Sequence, residues 1–283
     1  MPGSRSSELL GYAPDARLLI LNADDFGMYQ AINEATLRAF EEGVIRSTTL
    51  MAPCPGASSA LQLLQDHPDM AFGVHLTVIC DIDSYRYGPL TPAEQVPSLV
   101  VDDGCFYSSE HIPEFLARAR LDELEIEFRA QIEVVLAAGL RPTHVDWHCL
   151  HSGGRADIFD MTLGLAHEYG LAVRVADPPL SERLQRQGLP TAGYNLLDSF
   201  RIDTATKPAR YAQLLRELPA GLSEWAVHPS VGDAASQAID PDGWPVRKAD
   251  FDFLISPEAR ELIRQEGIIV LSYKPLQEVW RGK

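Results

Sequence analysis

Paired cysteines are missing from this sequence. Its four, Cys54, Cys80, Cys105 and Cys149, are widely scattered and form no Cys-x-x-Cys motif. That spacing argues against a disulfide framework or a thiolate zinc site and is most simply read as a reducing compartment. No apolar run approaches a membrane span. The amino-terminal stretch also lacks an apolar core followed by a small-residue cleavage site, so a cytoplasmic protein is expected. Basic residues are few: 24 Lys and Arg stand against 40 Asp and Glu, giving a formal net charge of −16. Such a surface repels nucleic-acid phosphates and anionic membranes and suits a neutral or cationic ligand better than a polyanion. Internal repeats, low-complexity tracts and an obvious Gly-rich phosphate loop are absent as well.

What is present is an ordinary globular composition, 46% hydrophobic and 23% charged over 283 residues. One large domain is the default at this size. The expectation is a flexible leader over residues 1–16, then a single domain over 17–283. Apolar runs at 18–22, 47–51, 71–77, 143–147, 171–175, 224–227 and 268–271 read as strands. Amphipathic stretches at 31–40, 57–65, 114–138, 156–169, 208–218 and 257–265 read as helices. Seven or eight strand-then-helix units predict a parallel α/β sheet, preferably a distorted (β/α) TIM-like barrel. Residues 78–113 and 229–250 read as long irregular loops, and residues 177–191 as a segment broken by Pro and Gly. Long loops of this kind usually wall an active site.

The chemistry concentrates at predicted strand ends. Asn22-Ala-Asp-Asp-Phe-Gly27 sets two adjacent carboxylates, Asp24 and Asp25, behind the first strand. Their repulsion is relieved if a cation takes one as ligand and leaves the other as a base, although a helix cap with a solvated neighbour is the plainer alternative. His75 lies in the apolar third strand, and Thr143-His-Val-Asp-Trp-His148 packs His144, Asp146 and His148 onto one face of the next. Asp146 is suited to orient a ligating imidazole. One Asp with two His is a set that binds zinc or iron with positions left open, and magnesium is less natural for two imidazoles. One divalent ion is therefore expected, with zinc preferred and magnesium or another ion allowed. His228 ends a late strand, where it is either a general acid or a structural histidine at a loop entrance. Arg174, inside a predicted strand, either pairs with the free aspartate or belongs to a buried structural ion pair. Trp147, Trp244, Tyr85 and Tyr87 are the aromatic candidates for stacking on a sugar ring.

These motifs, together with Ser47-Thr-Thr49, Gly73-Val-His75, Val173-Arg174 and Val227-His-Pro229, resemble the YdjC-like carbohydrate deacetylases, including the chitooligosaccharide and hopanoid-linked types. The resemblance spans nearly the whole chain. It implies a distorted barrel with a divalent ion held by Asp25, His75 and His148, with Asp24 as base and His228 as acid. NodB-type deacetylases divide two consecutive aspartates in the same way. Many relatives continue their Thr-His-x-Asp-x-His segment with further histidines, whereas here it reads Cys149-Leu-His151-Ser-Gly-Gly154, so His151 is either a substrate contact or a spare. The expected reaction is hydrolysis of an acetylated amino sugar or oligosaccharide, and a homodimer is compatible with the sequence. A metal-dependent phosphoesterase and a non-catalytic carbohydrate-binding protein are the alternatives.

Overall fold

Residues 18–23 alternate between two apolar environments. Leu18 and Ile20 join a large buried cluster with Phe72, Val74, Val145 and Val173, while Leu19, Leu21 and Ala23 join another with Ala39, Tyr211, Leu215 and Phe253. The strand they form, β1 (Arg17–Phe26), is therefore buried on both faces, as the centre of a parallel sheet must be. A computed structural model describes residues 4–283. In chain order its other strands are β2 (Ser47–Leu50), β3 (Phe72–Leu76), β4 (Ile79–Cys80), β5 (Tyr107–Ser108), β6 (His144–Trp147), β7 (Ala172–Val173), β8 (Leu197–Asp198), β9 (Gly221–Val227) and β10 (Ile269–Leu271). β4 and β5 form a small separate ladder. The others make one eight-stranded sheet, ordered β7-β6-β3-β2-β1-β9-β8, with β10 beside the first half of β1. All of its ladders are parallel.

The sheet curls strongly. Arg174, directly after β7, touches Asp24 on β1 at 2.7 Å and Glu224 on β9 at 2.8 Å. These strands lie four and five places away in the sheet order, which in a flat sheet would separate them by about 19–24 Å. The result is the distorted (β/α) barrel expected from the strand-helix alternation. It does not close by hydrogen bonding, because no ladder joins β7 to β8 among the described residues. The connection between them is pinned from two directions: Ser6 Oγ donates to the Thr191 carbonyl at 2.6 Å, and Trp280 Nε1 donates to the Pro190 carbonyl at 2.9 Å.

Four expectations need correction. Residues 1–3 of the predicted leader lie outside the described residues, but Ser4–Leu9 is helical and Ser6 and Ser7 are buried. The loop predicted at 229–250 contains the helices Ala234–Ile239 and Trp244–Leu254, and the segment at 177–191 contains the helix Pro178–Arg186. Pro178, Pro179 and Pro245 sit in first turns, where a missing N–H costs nothing, and Asp177 and Asp233 cap two of these helices. Residues 78–113, read as irregular, do hold the short strands β4 and β5.

Close approach around β3 fixes the barrel floor. A Cβ on Gly73 would lie 2.6 Å from the His144 ring, which is itself stacked on Tyr273 at 3.6 Å. Gly73→Ala should therefore destabilise the protein by about 1–3 kcal/mol in urea denaturation through overpacking. A change below about 0.5 kcal/mol, the range of neutral surface substitutions, would contradict this packing.

Candidate metal and catalytic centre

Strand alternation should send Asp24 and Asp25 to opposite faces of the sheet. Asp24 follows the parity of Leu18, Ile20 and Asn22 into the barrel. Asp25 then adopts a left-handed backbone, φ 69°, and the β1–β2 register shifts between Ala23 and Phe26. This break turns both carboxylates into the same site, at a cost of about 1–2 kcal/mol for an L residue.

Cross-strand register places the next group. His75 and Asp146 are partners across β3 and β6, and His75 Nδ1 meets Asp146 Oδ1 at 2.6 Å. The other ring nitrogen, Nε2, lies 3.4 Å from Asp25 Oδ1, and His148 Nδ1 approaches the same oxygen at 3.3 Å. The far side of His148 is braced in turn, with Nε2 3.2 Å from Asp81 Oδ1. Asp25 Oδ1 is buried and has no hydrogen-bond partner, while Asp25 Oδ2 accepts from Arg247 Nη1 at 2.7 Å. An orphaned carboxylate oxygen facing two carboxylate-braced imidazoles suits a divalent cation. One donor atom from each of Asp25, His75 and His148 lies within 4.8 Å of the others.

Asp24 is organised differently. Its two oxygens accept from Arg174 Nη1 and Nη2 at 2.7 and 2.8 Å, and Oδ1 also accepts from Asn22 Nδ2 at 2.7 Å. Arg174 also contacts Asp146 Oδ2 at 2.6 Å and donates through Nε to Glu224 Oε1 at 2.8 Å. Tyr273 donates to the other Glu224 oxygen at 2.6 Å. Burial alone would raise the Asp24 carboxyl, but Arg174 outweighs it and holds the group well below the usual carboxylate range. Asp25 is lowered in the same way, with Arg247 and the two imidazoles opposing burial. Burial would depress the His75 imidazole, yet Asp146, Asp25 and Asp24 lift it to about 9. His144 has no such support: burial against Tyr273 lowers it to about 3, making it a neutral core histidine.

A cavity of about 800 Å³ opens above these groups at the carboxyl ends of the strands. His228 lines it. Its Nδ1 is 2.8 Å from Ser199 Oγ, and its backbone N–H donates at 2.9 Å to Asp250, which is paired with Lys207 at 2.7 Å. His151 is exposed on the same wall, and Trp147 lines it while largely buried against Phe159. Trp244, expected to stack on a sugar, instead begins a helix and does not line the cavity. Tyr85 is likewise outside the lining, its hydroxyl donating to the Met28 carbonyl, and Tyr87 is buried with its hydroxyl on the Ile79 carbonyl. The exposed aromatic at the cavity is Phe200, set edge-to-face with His228.

Arg247, Asp81, Glu224 and Phe200 escape the sequence reading. Arg247 was detectable in principle, since Arg247, Asp250, Phe251 and Leu254 share the buried stripe of one helix. Glu224 carried the signal of a carboxylate inside an apolar strand. Asp81 lies in an irregular connection and gave none.

The chain matches the YdjC-like protein family over residues 18–265. It is 36% identical over 259 residues to a carbohydrate deacetylase of Geobacillus stearothermophilus, covering 91% of this chain and 97% of that one. A carbohydrate deacetylase of Thermoanaerobacter pseudethanolicus is 30% identical over 262 residues, with coverage of 92% and 100%. Among solved structures, a protein of Enterococcus faecalis described as a cellobiose-phosphate cleavage protein superimposes with a TM-score of 0.79 at 30% identity, covering 92% of this chain and 99% of that one.

The imidazoles set a pH dependence for the metal-free protein. His75, raised from 6.5 to about 9, contributes stability that is fully present below pH 6.5 and lost as pH rises to 9. His144, lowered from 6.5 to about 3, contributes stability present above pH 6.5 and lost as pH falls to 3. Urea denaturation in a chelator should show a maximum near pH 6.5, with a loss of at least about 1 kcal/mol by pH 9, part of which His75→Gln removes; His148, also raised above the ordinary imidazole range, keeps the rest. An alkaline limb unchanged in His75→Gln would contradict the assignment.

Proposed function

The chain belongs to the YdjC-like protein family, and from that premise we propose that it is a metal-dependent carbohydrate deacetylase acting on an acetylated amino sugar or oligosaccharide. The observation that carries the reading is the juxtaposition of two differently prepared aspartates. Asp25 offers an unpartnered oxygen to two imidazoles, and Asp24 is held ionised by Arg174 beside it. Curated relatives that this chain matches over nine-tenths of its length carry the name carbohydrate deacetylase, which supports the same reaction.

Asp25, His75 through Nε2 and His148 through Nδ1 would hold the ion, and two imidazoles with one carboxylate favour zinc over magnesium. When bound, such an ion supplies Lewis acidity that polarises a carbonyl and makes water a better proton donor. Asp24 accepts the proton of the attacking water. Arg174 and Asn22 fix its carboxylate in one orientation, and Glu224 and Tyr273 hold Arg174 from behind. As the C–N bond breaks, His228 delivers a proton to the departing amine from Nε2, its Nδ1 being engaged by Ser199. Acetate leaves and the amine stays on the sugar. Phe200 offers the apolar face on which a pyranose ring can lie, the role expected of Trp244.

Asp25→Ala, His75→Ala and His148→Ala should each lose activity together with the ion of this centre. Asp24→Asn should keep its metal and lose roughly 10²–10⁴-fold in turnover. Metal analysis and acetate release over a panel of acetylated mono- and oligosaccharides test both statements. Phosphorylated disaccharides belong in the panel because of the Enterococcus faecalis relative's description. Full metal occupancy in the His148 variant, or full activity in the His75 variant, would overturn the ligand assignment, and phosphate release without acetate release would overturn the reaction.

A further inference from the structure

His148 presents ligand partners on both sides of its ring. Nδ1 faces Asp25 Oδ1, whereas Nε2 lies 3.2 Å from Asp81 Oδ1, 3.3 Å from Cys149 Sγ and 3.5 Å from the Tyr87 hydroxyl. One donor atom from each of Asp81, His148 and Cys149 lies within 4.8 Å of the others. Tetrahedral coordination at usual zinc bond lengths puts neighbouring N, O and S donors about 3.3–3.6 Å apart, so the three atoms already stand near ligating positions.

Two further observations single out this cluster. Cys149 is exposed and lines the cavity, unlike the buried Cys54 and Cys80. It also holds a left-handed backbone, φ 59°, with its sulfur against the ring of the residue before it. Strain of this kind at a polar cluster is a recurrent mark of function. Arg247 approaches Asp81 through Oδ2, at 3.7 Å, while Oδ1 faces His148 and accepts from the Tyr87 hydroxyl at 3.5 Å.

We infer that Asp81, His148 and Cys149 form a second cation site, selective for thiophilic divalent ions, which competes with the Asp25–His75–His148 site for the imidazole they share. The competition rests on the proposed metal centre and on imidazole chemistry. A neutral ring carries one lone pair and one N–H, so His148 serves one site at a time. When an ion binds the outer site, the Cys149 thiol gives its proton to solvent as the sulfur–metal bond forms, and Nε2 donates its lone pair. The ring proton then sits on Nδ1, facing Asp25 Oδ1, and the inner set is reduced to Asp25 and His75. A thiolate selects zinc, cadmium or similar soft ions over magnesium, so such ions in excess inhibit the enzyme while magnesium does not.

The test titrates Cd²⁺ into the metal-stripped full chain, following both thiolate-to-cadmium ultraviolet absorption and bound cadmium. Wild type and Asp25→Ala should develop the absorption band. Cys149→Ser should lose it while still binding one Cd²⁺, and wild type should bind one ion rather than two. A band retained in Cys149→Ser, or absent from both wild type and Asp25→Ala, overturns the outer site. Two ions per wild-type chain overturn the competition. A Cys149→Ser protein that binds no cadmium, with the wild-type band intact, overturns the inner-site assignment instead.

Discussion

Everything at the centre of this barrel depends on one buried guanidinium. Arg174 emerges from the edge strand β7 and meets carboxylates from β1, β6 and β9. β6 is laddered to β7, but no backbone ladder ties β1 or β9 to it among the described residues, so the arginine supplies a link across the interior that the sheet order denies. A buried charge of this kind is costly to desolvate, and removing one partner of such a cluster typically costs several kcal/mol because the others are left uncompensated. The geometry that makes the sheet a barrel is thereby the geometry that orients Asp24.

Charge balance carries the same logic outward. Asp24, Asp25, Asp81, Asp146, Glu224 and Asp240 crowd a region where, among the described residues, the buried guanidiniums are those of Arg174 and Arg247. The excess of negative charge is tolerable where a cation or protonated imidazoles offset it, and it explains why His75 holds a proton far more tightly than a free histidine. Asp146 joins the two halves of the arrangement, touching Arg174 with one oxygen and His75 with the other. A disturbance of Asp24 or its arginine is therefore felt at His75, and the reverse.

Much of this was legible from residue order. The doublet Asp24-Asp25 behind an apolar run, and Asp146 two residues before His148, follow from strand period and from the rule that barrels expose strand ends. The register that sets Asp146 opposite His75 then follows from parallel pairing. What stayed hidden depended on long-range closure. Arg247 reaches Asp25 across 222 positions, from a helix masked by the Pro and Gly that begin it. Trp244 looked like a cavity aromatic for the same reason, since a residue misread as loop was assumed to face the site. Phe200 occupies the exposed place instead, from a short turn after β8 with no periodic signal. The left-handed turn at Asp25 was equally silent, because it violates strand alternation at the one place where the site needs it violated.

The unpaired side between β7 and β8 bears on the order in which the chain can assemble. The connection across it is held by Ser6 near one end of the chain and Trp280 near the other, and residues just before Trp280 also supply β10 and the Tyr273 hydroxyl that steadies Glu224. Contacts of such large sequence separation form late, since their loop-closure entropy is recovered only after the intervening structure exists. During synthesis the strands bearing Asp24, His75 and His148 emerge well before the segment that completes their enclosure. The pocket is thus sealed only after residues 269–280 have been made, and until then the carboxylates of Asp24 and Asp25 stand open to the surrounding solution.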